Sequence, residues 1–397
     1  MKKATWYQWH HWLGVKLSIL LCFILASGTL AVISHELDWL TQPNLRAKPT
    51  PYYHPIPWGQ VYSSIKLESP TDRLLSLSAP IHQGFAIEGI AKRQSGDRYR
   101  IYLDPTDGKF QGIGPWYNWQ TVLRRLHRHL MLPATLGITI VSFCAFIFLG
   151  LLFSGLILHP KWASGLIQWP RRKNPRIFWG DLHRLAGLWS SWLVLIVSIT
   201  GVWYLAERWG LDAAYPEDAK PISDYHNQSS PLPSQENFDR IVKQARALRP
   251  ELKIKFIRFP QNARQSLVVE GQANNLLVRN RANNMTFDPN NGTWLSSRHA
   301  ENLSLHVRIS EAADPLHFGI WGGYPTKIIY FIFGLILTSV AISGTYIFAL
   351  RQAKMAKNEP LISLNRWGLA WQNMGKLRWI ALGGVLLALG FIPFYIL

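Results

Sequence analysis

The sequence predicts an α-helical integral membrane protein. Its plan is a pseudo-twofold four-helix transmembrane core, one additional C-terminal helix, and two α+β modules outside the membrane. Three observations point there. Apolar runs of about twenty residues, long enough to cross hydrocarbon, recur at 13–34, 132–158, 189–205, 327–350 and 377–397 with almost no charge inside. Two long polar stretches between them alternate like strands and end in Asp-Pro-x-x-Gly turn sequences. Landmarks of the first half then return in the same order in the second, with an offset that grows smoothly, as duplication with loop insertions would give.

The elements follow in order. Residues 8–35 form the first span; Lys2 and Lys3 precede it, but no small-residue cleavage site follows, so it reads as a retained helix. Residues 36–130 form the first module: a helix near 58–66, strands at 74–77, 85–93 and 99–103, and the closing turn Asp104-Pro105-Thr106-Asp107-Gly108. The second span is 131–159 and a short loop covers 160–181. The third span is 182–206. Residues 207–324 repeat the module. Its helix, 236–248, carries Phe238, Ile241, Val242, Ala245 and Leu248 on one face, and strands are predicted at 253–259, 266–271 and 276–280 before the turn Asp288-Pro289-Asn290-Asn291-Gly292. The fourth span is 325–350, a loop covers 351–376, and the fifth span, 377–397, lies outside the repeat.

The formal charge of +19 falls largely in short loops: Lys161, Arg171, Arg172, Lys173 and Arg176 in one, Arg351, Lys354, Lys357, Arg366, Lys376 and Arg378 in the other. That distribution suits a bilayer rather than nucleic acid. By the positive-inside rule it places the N-terminus and both short loops in the cytoplasm, and the modules and C-terminus in what would be a bacterial periplasm. Cys22 and Cys144 both lie in apolar runs, which excludes an iron–sulfur set, a CxxCH attachment site and a structural disulfide.

Histidines mark the ends of the spans. His10 precedes Gly28 by eighteen residues and His183 precedes Gly201 by eighteen. In an unbroken helix that is five turns, so each histidine would share a face with its glycine roughly 27 Å away. In the mirrored arrangement His127 precedes Ser154-Gly155 and His317 precedes Ser343-Gly344. Pro133 and Pro325 follow these two histidines and suit a first helical turn, which would put His127 and His317 in short pre-helical segments.

Helix-entering His-x-x-x-Gly segments, Asp-Pro-x-x-Gly turns closing small modules, and His-led spans ending in Ser-Gly together resemble the PepSY-associated transmembrane proteins over about residues 8–350. Within them the chain is most similar to inner-membrane ferric-siderophore reductases holding two b-type haems. The resemblance implies PepSY-like modules and a haem-dependent reductase acting on a ferric-siderophore or other periplasmic ferric chelate. The substrate rests on that resemblance alone.

Topology puts His10 and His183 at one membrane level and His127 and His317 at the other. Each pair would supply both axial ligands of one haem b, since two imidazoles close the coordination sphere of an iron suited to electron transfer. His11 and His129 compete for the ligand role, and His159 would contact a propionate or a headgroup. Gly28 and Gly201, and Gly155 and Gly344, would offer bare surface to the porphyrin or serve as ordinary small-residue helix contacts. Arg124, Arg125 and Arg128 would meet haem propionates, an anionic chelate or lipid phosphates. Trp116, Tyr117, Trp119, Trp321 and Tyr324 would form an interfacial belt or a substrate cradle. No Gly-x-Gly-x-x-Gly occurs, so a quinol or a separate flavoprotein would be the electron donor. A different class stays open: a non-catalytic membrane protein whose modules bind or restrain a periplasmic partner such as a peptidase. Midplane charge of the kind transporters use is missing from the spans.

Overall fold

The computed structural model describes residues 2–49, 55–221, 232–355 and 366–393. Parts of the predicted 351–376 loop, Lys357 among them, and the last four residues of the predicted fifth span lie outside the described residues. The chain divides into two compact units. One is residues 1–34, 119–212 and 316–397; the other is 35–118 and 213–315.

The first unit is helical. It opens with α1 (Lys3–Lys16) and α2 (Ser18–Val32), bent by 68° at Leu17. The helix α3 (Ser34–Thr41) begins at the last residue of the segment. In the second unit follow α4 (Trp58–Glu68) and, returning to the first, α5 (Trp119–His129) and α6 (Ala134–Leu158). After a single turn α7 (Trp162–Gly165) come α8 (Pro175–Trp189) and α9 (Ser191–Arg208), bent by 58° at Ser190. The helix α10 (Gln235–Leu248) belongs to the second unit, α11 (Leu305–Phe318) ends in the first, and α12 (Tyr324–Met355), α13 (Arg366–Asn373) and α14 (Leu377–Gly390) complete the chain.

Among the described residues two helices, Ala134–Leu158 and Tyr324–Gln352, are each long and apolar enough to cross a bilayer; counting each bent pair as one span makes up to four. The described part of the fifth run, α14, has 14 residues, or roughly 21 Å of helix, short of a hydrocarbon core of roughly 30 Å. The bends overturn one sequence expectation. His10 and Gly28 are not on one straight helix, nor are His183 and Gly201, so the five-turn register does not apply. Serines rather than prolines stand at both breaks: Ser18 Oγ donates to Val15 O (3.0 Å), Ser190 Oγ to Ala186 O (2.7 Å) and Ser191 Oγ to Leu188 O (2.8 Å). Such back-bonding competes with the helical ladder and bends it.

The halves match in packing. α1 lies on α6 as α8 lies on α12, and α2 lies on α12 as α9 lies on α6. At the centre of the α6–α9 contact, a Cβ on Gly201 would come within 2.9 Å of Ala145 Cβ.

Among the described residues the second unit builds one antiparallel sheet of eight strands, four from each of the two expected modules. Its order is β4-β3-β2-β1-β5-β6-β7-β8. The first half supplies β1 (Arg73–Ser78), β2 (Ile87–Lys92), β3 (Arg98–Leu103) and β4 (Phe110–Pro115). The second supplies β5 (Lys253–Arg258), β6 (Leu267–Gln272), β7 (Asn283–Phe287) and β8 (Trp294–Arg298). The halves join where β1 pairs with β5, with Leu77 opposite Ile257. α4 and α10 cover one face. Their apolar stripes, Trp58, Val61, Tyr62 and Ile65 on one and Phe238, Ile241, Val242 and Ala245 on the other, fall at helical spacing and share a single core. Tyr62 stacks on Phe238 (ring centroids 4.3 Å) and on Phe259 (5.5 Å), and Tyr62 Oη donates to Pro233 O at 2.8 Å. Burying each such ring is worth about 1.5–3 kcal/mol.

The Asp-Pro turns do not close the modules. Each turns β3 into β4 or β7 into β8, adding a fourth strand the sequence reading missed. Asp104 Oδ1 accepts from Thr106 N (2.8 Å) and Asp288 Oδ1 from Asn290 N (2.9 Å), while Gly108 and Gly292 sit at φ +71° and +72°, a region costly for residues with a Cβ. The strand expected at 276–280 is also displaced: β7 begins at Asn283, and Leu276 is 82% exposed.

Candidate functional site

His10 is on α1, His183 on α8, His127 on α5 and His317 at the end of α11. The two expected pre-helical segments are thus helices of their own. After α5, Leu130 and Met131 adopt positive φ (55° and 58°) to turn the chain into α6. The matching elements of the two halves bring their histidines together. The rings of His10 and His183 lie 6.4 Å apart between centroids, and those of His127 and His317 lie 6.2 Å apart. Two imidazoles on opposite sides of one metal ion, with metal–nitrogen bonds of about 2.0–2.1 Å and about 1.1 Å from nitrogen to ring centre, would stand about 6.3 Å apart.

Each histidine is held in the same way. His10 Nδ1 meets Ser154 Oγ at 2.8 Å, His183 Nδ1 meets Ser343 Oγ at 3.0 Å, and His317 Nδ1 meets Thr200 Oγ1 at 2.7 Å. His127 Nδ1 donates to Ile24 O at 3.0 Å and lies 3.4 Å from Ser27 Oγ. The direction of these bonds follows from the hydroxyls. Ser154 Oγ gives its own hydrogen to Gly150 O (2.6 Å), Ser343 Oγ to Val340 O (3.0 Å) and Thr200 Oγ1 to Ile196 O (2.8 Å). With each hydroxyl hydrogen given to its own helix, Nδ1 is the donor to it, and in that tautomer Nε2 is the nitrogen through which each ring could bind a metal.

The glycine after each hydroxyl residue makes room. A Cβ on Gly28 would come 2.7 Å from His127 Cε1, on Gly344 3.1 Å from His183 Cε1, and on Gly155 3.6 Å from His10 Cε1. The sequence leaves these glycines as bare surface for a porphyrin or as small-residue helix contacts; the structure sets an imidazole near three of them, and Ala145 against Gly201. Ser27, Ser154, Thr200 and Ser343 stand in the sequence as partners of those glycines, with no hint of the imidazoles they hold.

The competitors sit elsewhere. His11 packs on Phe348 (4.5 Å between rings) and stacks on Tyr7, and His129 Nδ1 donates to Leu132 O at 2.8 Å. His159 is the C-cap of α6. Arg124 lies over the Phe318 ring at 5.9 Å, next to His317, while Arg125 and Arg128 flank His127 on α5. Trp116 belongs to the second unit, where Arg98 and Arg100 lie over its ring at 5.4 and 5.3 Å. Among the described residues no group of three or more His, Cys, Asp or Glu side chains could hold a metal ion by itself. A metal at either pair would need a carrier that fills the other positions, as a porphyrin does.

Comparison with known proteins adds one relation. The sequence pattern of the family described as PepSY-associated TM region matches residues 7–351. No curated protein matches the chain.

Proposed function

The chain belongs to the PepSY-associated transmembrane family, and from that premise we propose that it is an inner-membrane di-haem b reductase that delivers electrons to a periplasmic ferric chelate. The observation that carries the reading is the fourfold repeat of one device: an imidazole whose Nδ1–H is committed to a carbonyl or hydroxyl, facing a second imidazole at the spacing of a shared metal. Metal-ligating histidines characteristically donate their other ring N–H in this way, which fixes the tautomer and makes Nε2 a better donor. His10 with His183 would hold one haem and His127 with His317 the other. When bound, haem ligated by two imidazoles supplies a one-electron iron couple with no open position, suited to electron transfer and not to oxygen binding.

The chain's own residues set the conditions. Ser154, Ser343, Thr200 and the Ile24 carbonyl orient the rings, and Gly344 and Gly28 allow α12 and α2 to approach them. The four rings are half-buried among apolar helices, and bound haem would complete their screening from bulk water. Electrons would enter from a membrane quinol or a separate flavoprotein. One electron per ferric ion would release the metal, because ferrous iron binds hard oxygen donors much less tightly. The orientation, with α1 and α8 toward the cytoplasm, rests on the cation-rich short loops.

A second reading draws on the sheet unit, where a shallow open groove is lined by Trp58, Gln60, Ser63, Asp239, Lys243 and Arg246. There the protein would bind a partner and carry no pigment. The visible spectrum of the detergent-purified chain, expressed with ample haem, decides between them. A low-spin b-type spectrum at two haems per chain is expected, and His183→Ala should remove one haem and leave the other. A colourless protein, or a His183→Ala variant that keeps both haems, would overturn the reading.

A further inference from the structure

The two histidine pairs are equal in spacing and unlike in orientation. The ring planes of His10 and His183 stand at 87°, those of His127 and His317 at 40°. We infer that Ser154 and Ser343 are positioning residues that hold the first pair of imidazoles perpendicular, making the two iron sites electronically different. The inference rests on the proposed haem ligation.

The physical basis is the directionality of an imidazole. Each ring donates π density into the iron d orbital that lies perpendicular to its own plane. Parallel rings raise the same orbital and split the pair; perpendicular rings raise both and leave them nearly equal. For two equal ligands standing on one iron, the splitting follows the cosine of the angle between the planes. The first pair would keep about 0.05 of the parallel-ring value and the second about 0.77. A site with almost no splitting gives a strongly anisotropic low-spin ferric signal with one very large g value. A well-split site gives an ordinary rhombic signal.

The hydrogen bonds account for the difference in holding. At the first pair each Nδ1 is bound by a serine hydroxyl that is itself tied to its helix: Ser154 through Gly150 O and Ser343 through Val340 O. Those serines stand on α6 and α12, matching helices of the two halves. At the second pair one anchor is a threonine on α9. The carbonyl three residues before the serine joins in at three of the rings: Leu151 at His10, Val340 at His183 and Ile24 at His127. At the first pair the serine hydroxyls stand at 2.8 and 3.0 Å, whereas at His127 the carbonyl is the nearer partner, 3.0 Å against 3.4 Å for Ser27. The balance between the two acceptors has therefore shifted at one of the two sites. An outer hydrogen-bonding partner that fixes ring orientation is one of the levers by which a protein tunes bound iron.

Electron paramagnetic resonance of the oxidised, haem-loaded, full-length protein in frozen solution tests this. The expected result is two low-spin signals of equal intensity, one large-g and one rhombic. His183→Ala should abolish the large-g signal and His317→Ala the rhombic one; either variant alone suffices for the assignment. In protein loaded with excess haem so that both sites fill despite weaker binding, Ser343→Ala should convert the large-g signal toward rhombic, and Ser343→Thr should restore it. Two rhombic signals from protein holding two haems would overturn the inference and leave the proposed function standing. So would a large-g signal that survives His183→Ala, or one unmoved by Ser343→Ala. Protein that binds no haem would instead overturn the function itself.

Discussion

Substituting alanine for two of the glycines that follow an imidazole-contacting serine should give opposite results. At Gly28 the new Cβ would stand 2.7 Å from His127 Cε1 and 3.0 Å from Nδ1, against about 3.4 Å for an ordinary contact. The imidazole would have to retreat by about 0.7 Å. It cannot do so freely, because its Nδ1–H is bound to Ile24 O on the same helix. Overpacking of this kind costs about 1–3 kcal/mol, equivalent to about 5- to 150-fold weaker retention of whatever that histidine ligates. At Gly155 the same Cβ would meet His10 Cε1 at 3.6 Å, an ordinary contact, and alanine there gains up to about 1 kcal/mol of helix propensity. Haem per chain, measured from reduced-minus-oxidised spectra after challenge with a haem-scavenging protein, is the assay. Gly28→Ala should lose close to one haem, and Gly155→Ala none. Equal retention in both variants, or loss confined to Gly155→Ala, would refute the claim that these glycines are seats for imidazoles.

Three other outcomes follow from the same structure. Thr200→Val should leave the His317 Nδ1–H without its acceptor and weaken haem binding at that pair by about 10- to 100-fold, with Thr200→Ser restoring it; scavenger challenge reads both. In the sheet unit, burial pushes the Glu311 carboxyl up, but donation by Arg279, Tyr215 and Arg281 holds it below the usual carboxylate value; Glu311→Gln should cost about 3–5 kcal/mol in chemical denaturation followed by near-UV circular dichroism. Glu270 goes the other way: burial raises its carboxyl, Arg258 opposes and Asp218 adds to the rise. The folded protein holds that proton where the unfolded chain has released it, so the stabilisation is full below the unfolded value of about 4.3 and is lost as pH rises through the higher folded value. Glu270→Gln should flatten this slope in pH-dependent denaturation; an unchanged slope would refute it.

Much of the plan was legible because burial writes itself into period and run length. The helices around 58–66 and 236–248 and the strands β1, β2, β3, β5 and β6 showed their apolar alternation plainly. β4 did not: Phe-Gln-Gly-Ile-Gly-Pro has two glycines and a proline, acceptable only because it is a sheet edge. β8 is the other edge and is only half-buried. β7 misled for the opposite reason. It is wholly buried yet begins with two asparagines, and Asn283 is held by Arg249 and by Ala300 N, so an exposed apolar run nearby looked more strand-like. The bends at Leu17 and Ser190 hid inside apolar runs that contain no proline. Histidine identity and spacing could be read from sequence, but their hydroxyl anchors depended on which helices touch, and that is a tertiary fact.

The seam where β1 meets β5 makes the two halves of the duplication mutually dependent. Leu77 faces Ile257 there, and Tyr62 of one half stacks on Phe238 and Phe259 of the other. A fragment carrying either half alone would present an unpaired strand and a raw aromatic surface, an invitation to self-association. Cutting the chain between the repeats should therefore yield stably folded halves in detergent only when both are made together, each acting as the template on which its twin completes itself.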